Sequence, residues 1–182
     1  MPNWCYNRVS VSGEPEDVTK FFEKHLSDTT SRFFNSVIPM PEELRNTVSP
    51  RPRTKEQIYK DAEEFGWTEG DREWHLNHNC LSPEEEVRLD KLKELYGADN
   101  WYDWGLQNWA CKWDVDVSHI DININDRDGF LEFTFDTAWG PPEGVHAALV
   151  AMYPDLHFSW FYDEPGMEFA GYLHAGDVRL GG

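Results

Sequence analysis

The stretch WDVDVSHIDININ, residues 113–125, restricts the fold more than any other part of the chain. Apolar residues take odd positions at Val115 and Val117, then even positions at Ile120, Ile122 and Ile124. Successive side chains of a strand point to opposite faces, so one continuous strand would turn half of this apolar set toward water. A break or bulge is therefore expected at Ser118–His119, with a strand beyond it. The residues NDRDG, 125–129, have turn chemistry, and Leu131, Phe133 and Phe135 then resume the alternation. Residues 119–125 and 130–136 thus predict a β-hairpin with one apolar face.

That face needs partners, and the two ends of the chain supply them. Val9 and Val11 share one face of residues 4–12, with Trp4, Tyr6, Arg8 and Ser10 on the other, which predicts a half-buried strand. In SGEPEDVTKFFEKHL, Ser12 or Gly13 is placed to cap a helix, and Val18, Phe21, Phe22 and Leu26 repeat at helical spacing. GPPEGVHAALVAMYP predicts a second helix entered through Pro141–Pro142, with Val145, Leu149 and Met152 facing inward. Leu156 to Tyr162 reads as a strand, and EFAGYLHA as a further one. The order is β, α, a long insertion, β, β, α, β and a final β. Without the insertion this is the split β-α-β arrangement of a ferredoxin-like sandwich, an α+β class in which two helices cover one face of an antiparallel sheet. One domain is expected, its core drawn from 1–30 and 113–182, with an acidic, helical and Trp-rich insertion over about 31–112.

Within that insertion, FFNSVIPMPEEL suggests a short strand ended by Pro39, and SPRPR a loop. TKEQIYKDAEEFGW predicts a helix with Ile58, Ala62 and Phe65 on one side. LSPEEEVRLDKLKELYG is the clearest helix. Ser82 is its N-cap, Pro83 takes the first helical position, and acids fill the first turn. Val87, Leu89, Leu92, Leu95 and Tyr96 carry its apolar stripe, and Gly97 stops it.

Charge bounds the partners. The 182 residues hold 34 acids against 16 bases, a formal charge of -18. The acids concentrate after residue 52, and residues 131–182 hold a single base, Arg179. Such a chain repels phosphate backbones, so direct nucleic-acid binding is not expected; the charge serves solubility or, on the sharper reading, meets a basic partner. Mean hydropathy is -0.68 and no apolar run approaches the length of a membrane span. The N-terminal residues lack a secretory h-region, and three cysteines leave an odd thiol. A protein of the host-cell cytoplasm is expected.

Five motifs together resemble the YubB ferredoxin-like family. They are MPNWCYNRVSVSG at the start, MPEEL at 40–44, NWACKWDV at 108–115, FDTAWGPP at 135–142 and YDEPGMEFAG at 162–171. No motif of that family lies in 46–100. The resemblance implies a ferredoxin-like fold and a phage or plasmid origin. It implies no reaction and carries no catalytic residue across.

The residues themselves offer several candidate sites. Trp101, Trp104, Trp109 and Trp113 fall three and four apart, a spacing that suits a helix or turn. Their expected role is to wedge the insertion onto the sheet, with rims that frame a groove. Asp103, Trp104, Trp109, Asp136, Trp139 and Glu164 are the candidate groove residues, aromatic walls with a few polar groups. Asp136, Asp163, Glu164 and Glu168 lie at strand ends, where paired carboxylates can hold a cation or move a proton, but ordinary turn chemistry is the favoured account of them. The solvent face of the sheet is expected to show Tyr6, Arg8, Ser10, Asp121, Asn123, Glu132, Thr134, His157, Ser159 and Phe161, too acidic for an RNA platform. His75, His78 and Cys80 are zinc-ligand types without a fourth member. Lys112 beside Cys111 could lower the thiol pKa. No nucleotide, hydrolase or metalloprotease motif occurs, and no cofactor or metal is expected. The leading expectation is a non-enzymatic interaction protein of a mobile element, an acidic nucleic-acid mimic that meets a nucleic-acid-binding protein. The rival is a small-ligand-binding or metal-dependent enzymatic domain.

Overall fold

The computed structural model describes residues 3–125 and 127–174. In chain order the elements are β1 (Trp4–Ser12), α1 (Pro15–His25), α2 (Phe33–Val37), α3 (Glu42–Arg45), α4 (Lys55–Phe65), α5 (Glu69–His78), α6 (Pro83–Tyr96), α7 (Trp101–Asn108), β2 (Asp121–Asn125), β3 (Phe130–Ala138), α8 (Glu143–Met152), β4 (His157–Glu164) and β5 (Phe169–Leu173). Asp126 in the expected turn and Ala175 in the last expected strand lie outside the described residues. The chain divides into two compact units, Met1–Pro39 with Gly105–Gly182, and Met40–Trp104.

The first unit is built on one antiparallel sheet in the order β2-β3-β1-β4-β5. Its first four strands have the ferredoxin-like order, and β5 is added by a hairpin at the β4 edge. The parity change has the expected cause. A 3-10 turn at Val117–His119 separates Val115 and Val117 from the isoleucines of β2, and all of Val115, Val117 and Ile120 end buried.

One sheet face is the core. Val9, Val11, Leu131, Phe133, Phe135, Phe158 and Trp160 are buried there. α1 packs on β3 and α8 on β4, and the Phe33 and Phe34 rings of α2 meet Phe135 edge-on. Phe21 of α1 meets Phe158 and Tyr153 edge-on at 5.6 and 5.4 Å. Each such buried ring contributes roughly 1.5–3 kcal/mol over exposure.

Three local expectations are corrected. Phe33–Val37 is a helix rather than a strand. The carboxylate of Asp114 accepts the N–H groups of Phe34 and Asn35 at its first turn, so a residue 80 positions away supplies the cap. α1 starts one or two residues after the expected Ser12 or Gly13 cap, with Glu14 at the cap without a side-chain bond and Pro15 at the first helical position. Several apolar residues placed on inner stripes are exposed, namely Phe65, Val87, Leu95 and Met152. The segments 31–39 and 105–112, expected in the insertion, belong to the sheet unit.

The second unit is helical. α4 and α5 each start with a full capping box, Thr54 with Gln57 and Thr68 with Asp71. α6 has Ser82 as N-cap and Gly97 in the left-handed conformation after its last turn. Arg51 bridges Asp90 and Asp99, at 2.8 and 3.0 Å. Among the described residues no helix is long and apolar enough to cross a membrane.

Candidate functional site

The alternation of β1 turns Cys5, Asn7, Val9 and Val11 inward and leaves Trp4, Tyr6 and Arg8 exposed. Pairing then sets their neighbours. Trp4 lies opposite Ala138, Tyr6 opposite Asp136 and Arg8 opposite Thr134 on β3. On the other side Tyr6 lies opposite Asp163 and Arg8 opposite Phe161 on β4. The face away from the helices therefore has one central cation, Arg8, its guanidinium 5.6 Å from the Phe161 ring centroid. Asp121, Glu132, Asp136 and Asp163 stand on the same face around it.

Below this face a buried network locks the end of the sheet. Asn7 donates to Cys5 O at 3.0 Å and to Thr137 Oγ1 at 2.8 Å, and accepts from Trp160 Nε1 at 3.0 Å. Thr137 donates onward to Gly140 O at 2.8 Å. This ties the FDTAWGPP turn, in which Trp139 takes a left-handed φ of 75° and donates its N–H to Asn3 O. The geometry of that motif is structural.

After α7 the chain returns to this end of the sheet. Asp114 accepts from Phe34 N, Asn35 N and Val115 N, at 2.7, 2.9 and 2.7 Å, while its burial pushes the carboxyl pKa upward. With Asp114 anchored, the preceding indole of Trp113 comes beside that of Trp4, centroids 6.3 Å apart and planes 34° apart. Lys112 Nζ lies 4.3 Å from the Trp113 centroid. Between these groups is a cleft of about 340 Å³ whose lining includes Trp4, Trp113, Asp114, Asp116, His119 and Asp136. Trp4 is 52% exposed and Trp113 40%.

The three carboxylates of the cleft differ. Asp114 is saturated by backbone N–H groups. Asp116 pairs with Arg32 at 3.2 Å and has His119 Nδ1 at 3.9 Å. Asp136 is exposed, and its carboxylate has no hydrogen bond or ion pair among the described residues.

Of the six expected groove residues, Asp136 alone lines this cleft. Trp109 is buried, donates its Nε1–H to Ile38 O at 3.0 Å and packs on Phe34 inside the sheet unit, so it is a core residue there rather than a pocket wall. Trp139 is exposed, outside the lining. Glu164 is fully buried, and its carboxylate takes the Met167 N–H and shapes the β4–β5 turn, so it faces no groove. Asp103 and Trp104 fall in the helical unit. Asp103 bonds Asn100 at both its N–H and its carboxylate, which starts α7, and Trp104 is buried. Trp4, Asp116 and His119 were not expected at a site, and Trp113 only as one of four tryptophans whose rims frame a groove. The exposed parity of Trp4 on β1 was a usable signal, but its meeting with Trp113 depends on the Asp114 anchor.

The other constellations resolve as packing. Asp136 and Asp163 flank Tyr6 on opposite sides, so their backbones are about two strand spacings, roughly 10 Å, apart. That is too far for a shared proton. His75 stacks on Trp67 at 4.2 Å and His78 on Trp74 at 5.0 Å, and Cys80 is in a bridge with Arg53. Among the described residues no three His, Cys, Asp or Glu side chains gather to hold a metal. Cys111 is 1% exposed, and burial pushes its thiol pKa up despite Lys112, while Cys5 is pushed to about 11.

Fold and site together define an α+β ferredoxin-like protein with an acidic sheet face and a tryptophan-walled cleft at one end. Comparison with known families agrees with the fold: residues 112–179 match a family described as the ferredoxin-like domain in Api92-like protein. A crystal structure of a protein api92 from Yersinia pseudotuberculosis is similar over 97% of this chain and 96% of that chain, at 12% identity and a TM-score of 0.47. Among curated proteins, none matches.

Proposed function

We propose that this protein acts by contact with another protein, as an accessory factor of a phage or plasmid. Its partner is basic, of the kind that otherwise binds nucleic acid, and the acidic surface stands in for phosphates. The mobile-element setting rests on the resemblance to the YubB family. The observation that carries the reading is the sheet face, where four carboxylates surround one arginine and the aromatic side chains Trp4, Tyr6 and Tyr172 are exposed. Carboxylates spaced on a rigid sheet attract cationic surfaces from a distance and are screened by salt. The test is capture from host-cell lysate on the immobilised protein, with elution in rising salt and by DNA. A nucleic-acid-binding protein released by salt and displaced by DNA supports it. A partner that ignores DNA removes mimicry.

The 340 Å³ cleft favours a second reading, a small-ligand-binding domain. Asp136→Asn and Trp113→Leu proteins, each changed in the cleft lining, separate the two. Loss of a small-molecule interaction with the fold intact would favour the ligand.

A further inference from the structure

We propose that the Trp4–Trp113 cleft is a receptor for an arginine side chain presented by the protein partner. The inference rests on the interaction reading above and names the group that the surface holds. Three features select a cation. The two indoles that wall the cleft keep about half of their area uncovered, at 52% and 40%. An indole face attracts a cation more strongly than any other aromatic side chain does. Trp113 already carries the Lys112 ammonium 4.3 Å from its centroid. The cleft has unspent negative charge as well. Asp114 is saturated, Asp116 is paired with Arg32, and Asp136 stands exposed with no partner among the described residues.

Two features select guanidinium over ammonium. A planar cation can stack on an indole while its edge reaches a carboxylate through two parallel N–H bonds. Trp4 and Asp136 sit on the same sheet face, on adjacent strands and two residues apart in register, which suits a group that must touch both. The volume is at the small end for ligand sites, enough for one side chain and its approach. His119, the remaining titratable group of the lining, sits against Asp116 rather than Asp136.

The experiment follows the two indole N–H resonances of Trp4 and Trp113 by NMR while the full chain is titrated with a hexa-arginine peptide. Hexalysine and the acetylated amide of arginine are the comparators. Hexa-arginine is expected to shift both resonances and to bind several-fold tighter than hexalysine. Asp136→Asn and Trp113→Leu are each expected to weaken it by roughly tenfold. Glu84→Gln, an equal loss of charge on exposed α6, should weaken it by less than twofold. Equal losses from Asp136→Asn and Glu84→Gln would mean diffuse attraction and overturn the cleft. Saturation by the arginine amide at the same concentration as the peptide would assign the site to a free small cation and overturn the partner side chain. Lysate capture that persists in the Asp136→Asn protein would leave the protein–protein reading standing and remove the cleft from it.

Discussion

His25 is 1% exposed between two hydroxyls, and its neighbours settle its proton. Ser36 Oγ donates to Phe33 O at 2.7 Å, so at 2.7 Å it accepts from His25 Nδ1–H. Nε2 then accepts from Tyr153 O–H at 2.8 Å. A neutral ring satisfies the whole chain of bonds, and burial pushes the pKa down to about 4. In the unfolded chain the ring titrates near 6.5. Between these values only the unfolded state takes up the proton, so the contribution of His25 to stability is full above about pH 6.5, falls as pH drops toward about 4, and levels below. The loss is on the order of 3 kcal/mol. Urea denaturation at several pH values should show it, and Tyr153→Phe should remove about 1 kcal/mol at neutral pH. Asn7 makes a sharper case. Its amide serves Cys5, Thr137 and Trp160, so Asn7→Ala orphans a buried indole N–H. A loss of about 1–3 kcal/mol is expected in the same assay. The alternation of β1 was legible, but an asparagine at a core position gave no sign of which groups it would satisfy.

At the scale of elements, α2 depends on a side chain from far along the chain. Asp114→Ala should remove about 1–2 kcal/mol and loosen Phe33–Val37, visible as faster amide exchange of Phe34 and Asn35. It should also separate Trp113 from Trp4, because the same anchor positions both. α8 shows a second dependence. A Cβ at Gly144 would lie 2.1 Å from Asn108 O, a backbone atom that cannot swing away. Gly144→Ala should cost about 2 kcal/mol or more and lower the Tm by several degrees, measured by thermal melting. The strands, α4, α6 and α8 were readable because their periodicity and caps are local. Phe33–Val37 was not, since FFNSV has no N-cap of its own and its β-prone residues suited a strand.

For the whole molecule, a formal charge of -18 sets how it meets others. Association with the basic partner proposed above should be fast and tight at about 0.05 M salt. It should weaken steeply toward about 1 M, where the Debye length falls to about 3 Å. A binding constant independent of salt, measured by titration calorimetry across that range, would exclude an electrostatic interface. The amino-acid sequence alone determined the α+β order, the break at Ser118–His119, the capped helices and the sign of the surface. Those properties follow from neighbours within a few residues or from composition. Tertiary structure decided the rest. Which tryptophans were buried and which became cleft walls depended on strand register and on the Asp114 anchor. Glu164 went into the interior while Asp136 stayed in water, although both are acids at strand ends. Contacts between residues far apart in the chain, such as Asp114 with Phe34 and β1 with β3, made that difference, and no local pattern records them.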